Sequence, residues 1–267
     1  MESNSHIPPT PLAEMPMEVQ EFAIWLFGAI AAVVLLYGFR MAYKTRSLLP
    51  VYLMVGAAAA SFLEPIIGYL GHLIHPPVGA TVVFSAVDRI LPLHMLFAYV
   101  IAFGVTYLIF LPKLEGGSVS TRYVWAYSLA SVAIYILFEI YPVVSGLWVY
   151  YEPQPLWPFA FLAPFTWPFL NTTAALVGIT LIALLLPNLK GTTKLVVIPL
   201  APIGAVMGHL GSGWPMFLVM NSPISGSGVL LQLSGIAAVL CCFTVIWICS
   251  VVLSRQHWPE SAHSAKG

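Results

Sequence analysis

Seven apolar runs, near residues 22–43, 49–74, 87–111, 123–148, 158–186, 195–220 and 228–253, decide most of what this chain can fold into. Each has the roughly 20 residues that a helix needs to cross about 30 Å of hydrocarbon. Inside lipid a backbone must satisfy its own polar groups, and a helix does so within one segment. Composition agrees: of 267 residues, 60% are hydrophobic and only 7% charged, against about a quarter charged in soluble domains. The expectation is an all-α, polytopic membrane protein with seven transmembrane helices. Residues 1–20 are expected to be a disordered tail, 21–254 the membrane domain and 255–267 a C-terminal tail. No Lys or Arg precedes the first run, so the tail lacks the basic region of a secretory signal and span one is expected to remain as an anchor.

Loop charges orient the bundle. Arg40, Lys44 and Arg46 follow span one, Lys113 and Arg122 bracket the loop after span three, and Lys190 and Lys194 lie between spans five and six. The loops after spans two, four and six carry neither residue. By the positive-inside rule the N-terminus is expected outside, or in a lumen, and the C-terminus, with Arg255 and Lys266, in the cytoplasm. This topology suits an endoplasmic reticulum membrane in a eukaryote or the inner membrane of a bacterium. Zero net charge and the lack of a basic cluster interleaved with aromatics exclude a nucleic-acid partner. Cys241, Cys242 and Cys249 all fall in the last run, which argues for neither a disulfide framework nor a zinc site.

The stretch from Ser61 to His75 carries the chemistry. Glu64 sits inside an apolar span beside Pro65, and Gly68, His72 and His75 follow at helical spacing on its face. An acid in lipid is costly, so it faces a protein interior or a wet cavity and points to function; a structural pairing with Arg89 is the other reading. Glu139, in the outer half of span four, has the same environment. Asp88, Arg89 and His94 fall at the outer start of span three, with Asp88 and Arg89 also readable as an interfacial anchor. Phe165, Trp167 and Asn171 come from the outer part of span five, and His209 and Trp214 from span six. With Gln232 and Ser234 at the start of span seven, polar and aromatic side chains from six helices share one depth, with prolines at the same level, including Pro65, Pro142 and Pro168. That reads as a pocket near the outer leaflet, although small and kinked residues also serve plain helix packing.

A carboxylic acid in an apolar, aromatic-lined cavity can protonate an alkene or epoxide, and ring faces shield the cation that forms. No nucleotide, phosphate-loop or nucleophile-elbow motif is present, the histidines are too sparse for a di-iron centre, and no metal or cofactor is expected. In its size, seven-span layout, aromatic outer halves and Glu64 within SFLEP, the chain resembles the small membrane terpene cyclases of fungal meroterpenoid and bacterial indole-terpenoid pathways. That resemblance implies acid-initiated cyclisation of a lipophilic prenylated substrate entering from the bilayer. It also implies a second acid in the last helix, where this chain has no Asp or Glu. Glu139 is the candidate for that role, with Glu64 as general acid. Phe165, Trp167 and Trp214 would line the cation path, Asn171 and His209 would hydrogen-bond the acid or the head group, and His94 and Asp88 would contact substrate. The alternatives are a small proton-coupled transporter or lipid-binding protein, and a sterol or carotenoid isomerase or hydratase.

Overall fold

The computed structural model describes residues 11–117, 119–223 and 228–256. Seven of its helical segments are long and apolar enough to cross a membrane: Met17–Thr45, Leu49–Leu70, Leu93–Glu115, Thr121–Val144, Thr166–Asn188, Gly191–Met220 and Gly228–Ser254. The protein is a mostly helical, polytopic membrane protein. Most of the tail predicted over 255–267, and residues 1–10 of the N-terminal one, lie outside the described residues. Residues 17–20 of the expected tail are instead the first turn of span one. Gln20 holds that turn in place, donating from Nε2 to Gly79 O at 3.3 Å and accepting at Oε1 from Thr81 N at 2.7 Å.

The fifth span is the centre of the bundle and the fourth its edge: 67% of the most apolar window is buried in one, 22% in the other. Glycines set the closest approach. A Cβ on Gly204 of span six would lie 2.3 Å from Gly178 Cα of span five, and one on Gly208 would lie 2.6 Å from Ala174 Cα. Spans three and four, although consecutive, do not pack along their length. They meet at one end, where Phe110 stands edge-on to Tyr123 and Tyr127 and the Thr106 and Tyr127 hydroxyls are 2.6 Å apart. From there they diverge around a cavity.

The all-α expectation requires correction in the loops. There are two small antiparallel pairs: β1 (Leu73–Ile74) with β4 (Val149–Tyr150), which covers the other end of the cavity, and β2 (Val82–Ala86) with β3 (Arg89–Pro92), a hairpin leading into span three. Span three therefore starts at Leu93, after Pro92, rather than near 87. Proline lacks the N–H that a helix interior needs and restricts the residue before it to extended conformations. Span two is a helix to Ala60, a 3-10 turn over Ser61–Leu63, and a second helix Glu64–Leu70. It ends there because His72 is left-handed, at φ 50°, while the Asn221 amide donates to the terminal Leu70 carbonyl at 2.7 Å.

Candidate functional site

At the strand-covered end of the bundle the side chains of spans two to six converge on a cavity of about 430 Å³, within the usual range for small-molecule pockets. Its polar end holds two carboxylates. Glu64 stands at the restart of span two after the 3-10 turn, so the break turns its side chain inward. Its Oε1 is 2.9 Å from His75 Nε2, and its Oε2 accepts from the Tyr99 hydroxyl at 2.8 Å. Glu139 accepts at Oε2 from the Tyr150 hydroxyl at 2.6 Å and at Oε1 from Asn171 Nδ2 at 3.3 Å. Asn171 Oδ1 in turn lies 2.9 Å from His209 Nε2. With its amide nitrogen committed to Glu139, Asn171 offers His209 an acceptor, which fixes the proton of a neutral His209 on Nε2.

Both carboxylates are buried: Glu64 is 5% exposed and Glu139 4%. The cover is stitched together by Gln154, whose Nε2 donates to Gly71 O at 3.0 Å, to Tyr151 O at 3.2 Å and to His72 O at 3.4 Å. Burial, and then the Glu139 carboxylate, push Tyr150 well above its ordinary value near 10, so it donates as a neutral phenol. Burial holds His72 below its ordinary value near 6.5, against the opposing hydrogen bond to Asn221. Beyond the polar end the walls are apolar and ring-rich, with Tyr99, Phe103, Tyr135, Phe138 and Trp148 among them.

Of the residues singled out in the sequence, Glu64, Glu139, Trp167, Asn171 and His209 line this one cavity. His94 lies just behind it, its ring centroid 5.8 Å from that of His75. Three others are elsewhere. Asp88 is exposed at the β2–β3 turn, because the segment is a hairpin and not the start of a helix. Trp214 is 54% exposed on the outside of span six, and Phe165 caps the start of span five outside the cavity lining. Arg89 does not reach Glu64; it donates to the Tyr151 hydroxyl and lies over the Tyr69 ring at 5.5 Å. Span seven contributes no lining residue; its Gln232 side chain instead accepts from Leu156 N in the loop at 2.8 Å.

Sequence reasoning passed over Tyr99 and Tyr150. Tyr99 carried a usable signal, since Met95, Ala98, Tyr99, Ala102 and Val105 repeat at helical spacing along one face of span three. Tyr150 lies on the covering strand pair, and its sequence spacing gives no hint of Glu139. Among the described residues no group of three or more His, Cys, Asp and Glu is arranged to hold a metal ion. Compared with known proteins, the chain matches no family model, no curated protein and no solved structure. Fold and site together define a seven-span membrane protein with a water-excluded, two-carboxylate cavity.

Proposed function

We propose that the protein is a cofactor-independent membrane cyclase that protonates an epoxide or alkene of a prenylated substrate and guides the resulting cation to ring closure. The observation that carries this reading is the pairing of Glu64 and Glu139 at the polar end of a single aromatic-walled cavity. Glu64 and His75 share the proton that is delivered. It adds to the epoxide oxygen, breaking a C–O bond, or to an alkene carbon, taking the π pair. The next double bond supplies the electrons that close the ring, and the Tyr and Phe faces attract the migrating cation. Glu139, oriented by Tyr150 and Asn171, takes the proton lost from carbon at the end. Atoms balance as an isomerisation, and the exclusion of water keeps the cation from being trapped as an alcohol.

In this reading the Lys- and Arg-bearing ends face the cytoplasm and the strand pairs face outward. Transport fits less well, because the cavity lining stops at Ile109 and Tyr127, where the Thr106–Tyr127 contact joins the two helices. The test is Glu64→Gln and Glu139→Gln in parallel. Both keep the shape of the side chain and lose its proton chemistry, so turnover of a farnesylated aromatic substrate should fall by about 10²-fold or more with unchanged thermal melting. Wild-type turnover in Glu64→Gln would remove the assignment of the acid.

A further inference from the structure

A second site lies at the Lys- and Arg-bearing end of the bundle. Where span one ends and span two begins, Tyr43, Lys44, Arg46 and Ser47 line an open pocket, with Phe39 and Val51 also in its wall. Lys44 and Arg46 are both exposed, and among the described residues neither forms an ion pair with a carboxylate. Arg46 closes span one in the left-handed conformation, at φ 50°. Glycine is the usual residue at such a helix end, so the sequence places a cation where conformation alone favours none. The chain then turns sharply: Ser47 N donates to Ala42 O at 3.2 Å, and Ser47 Oγ accepts from Leu49 N at 3.3 Å. The Ser47 hydroxyl keeps its own hydrogen to donate. Span two starts at Leu49, and a helix start carries unpaired N–H groups and a partial positive charge. Two cations, a hydroxyl donor and a helix start in one pocket suit a phosphate.

Phe39 and Val51 belong also to an apolar groove that continues from this pocket along the bundle. It runs between spans one, two and three, past Leu35, Met54 and Phe97 to Ala31 and Ala58, and its lining residues are all apolar. From Ala31 to Phe39 it extends about 12 Å at 1.5 Å per residue. Its volume of about 260 Å³ holds about nine groups of the size of a water molecule at about 30 Å³ each. Nine carbons of an extended acyl chain, advancing about 1.25 Å per bond, are roughly 10 Å long, so length and volume agree on the occupant. In the groove wall Phe39 is 55% exposed and Val55 47%. The groove therefore opens sideways, where the surface of a membrane bundle meets acyl chains.

We infer that this pocket and groove form a binding site for one anionic glycerophospholipid, whose phosphate is held by Lys44, Arg46 and Ser47 while the upper part of one acyl chain lies in the groove. A zwitterionic headgroup would bring its own cation beside Lys44 and Arg46, so the charges favour a lipid that is negative overall. In the proposed orientation this end faces the cytoplasmic leaflet, whose anionic lipids give it a negative surface potential. The site shares no lining residue with the carboxylate cavity, and its occupancy does not depend on the cyclase reading.

Purified full-length protein is placed in phosphatidylcholine nanodiscs containing a small share of photoreactive lipid, either phosphatidylglycerol or phosphatidylcholine, with a diazirine in the part of one acyl chain that the groove would hold. The samples are irradiated and mapped by mass spectrometry. At equal content, phosphatidylglycerol should label peptides containing Leu35 or Val55 about tenfold more than phosphatidylcholine does, the scale expected of two basic side chains near a headgroup. Lys44→Gln with Arg46→Gln should bring this down to the phosphatidylcholine level with unchanged thermal melting, because both side chains are exposed. Lys194→Gln with Arg255→Gln removes the same charge from the same end and should leave the labelling as it was. Equal labelling by the two lipids, labelling centred instead on Ile109 or Ile134, a preference that survives the loss of Lys44 and Arg46, or an equal fall in the Lys194 and Arg255 variant would each overturn the inference.

Discussion

Glu64 and Glu139 show how one cavity gives two carboxyl groups different partners. Glu64 has an imidazole able to exchange a proton with it, whereas Glu139 is held by a phenol and an amide that do not exchange protons near neutral pH. Tyr150→Phe removes one of those donors without changing the shape of the wall. Hydrogen bonds to charged groups are worth about 1.5–3 kcal/mol, so kcat should fall by roughly 10–100-fold while KM changes little, as steady-state kinetics will show. His72 makes a different prediction, about the cover. Its folded value is depressed mainly by burial, with Arg89 adding to this and Asn221 and Glu152 opposing it. The unfolded side chain therefore takes up a proton first as pH falls. The contribution of a neutral His72 is present above its ordinary value near 6.5 and is lost progressively below it. Protection factors of the amides at residues 71–75, taken relative to the slower intrinsic exchange at lower pH, should fall on going from pH 7 to pH 5, and His72→Gln should remove most of that fall. An unchanged pH response in the variant would move the sensitivity to another group.

At the scale of elements, backbone close approach does most of the positioning. Gly71 ends span two where a Cβ would meet Trp167 Cζ2 at 2.3 Å, so the indole can lie over the turn and remain in the cavity wall. Gly71→Ala should cost about 1–3 kcal/mol by overpacking, read as a lower melting temperature in detergent together with weaker substrate binding. Gly204→Ala meets backbone rather than a side chain and should lower the melting temperature at least as much, as the spans five and six cannot separate without opening the core. The helix ends mark where the sequence was and was not legible. Apolar length placed all seven spans, but the start of span four two residues earlier, where Ser120 accepts from Tyr123 N at 3.2 Å as an N-cap, was not read. The second half of the hairpin, from residue 87 to Pro92, was taken for the beginning of span three because Ile90 and Leu91 continue the apolar character of the helix. The helical spacing of His72 and His75 was likewise illusory. Span two stops at Leu70, and His75 reaches Glu64 only because the chain doubles back through β1.

For the whole molecule, the alternating direction of successive spans and their hydropathy grouped Glu64, Glu139, Asn171 and His209 before any packing was known, and the four line one cavity. The partner of Glu139 could not be placed with them, since Tyr150 arrives from a covering strand pair that joins loops more than seventy residues apart in the chain. Trp214 has the right depth and the wrong face, a distinction that needs the rotation of span six. The topology makes its own prediction: a cysteine placed at Thr81 should react with impermeant maleimide from outside intact cells or sealed vesicles of native orientation, and one at Thr192 only after permeabilisation. The central claim, that buried carboxyl chemistry isomerises a prenylated substrate, is tested most directly by supplying membranes bearing the protein with a farnesylated aromatic compound in D2O, with and without a terminal epoxide. The account predicts an isomeric ring-closed product that depends on Glu64, carrying one carbon-bound deuterium when an alkene is protonated and none when an epoxide is. A product heavier by one water would contradict it in favour of hydration, and the absence of any conversion of either substrate would contradict cyclisation of this substrate class.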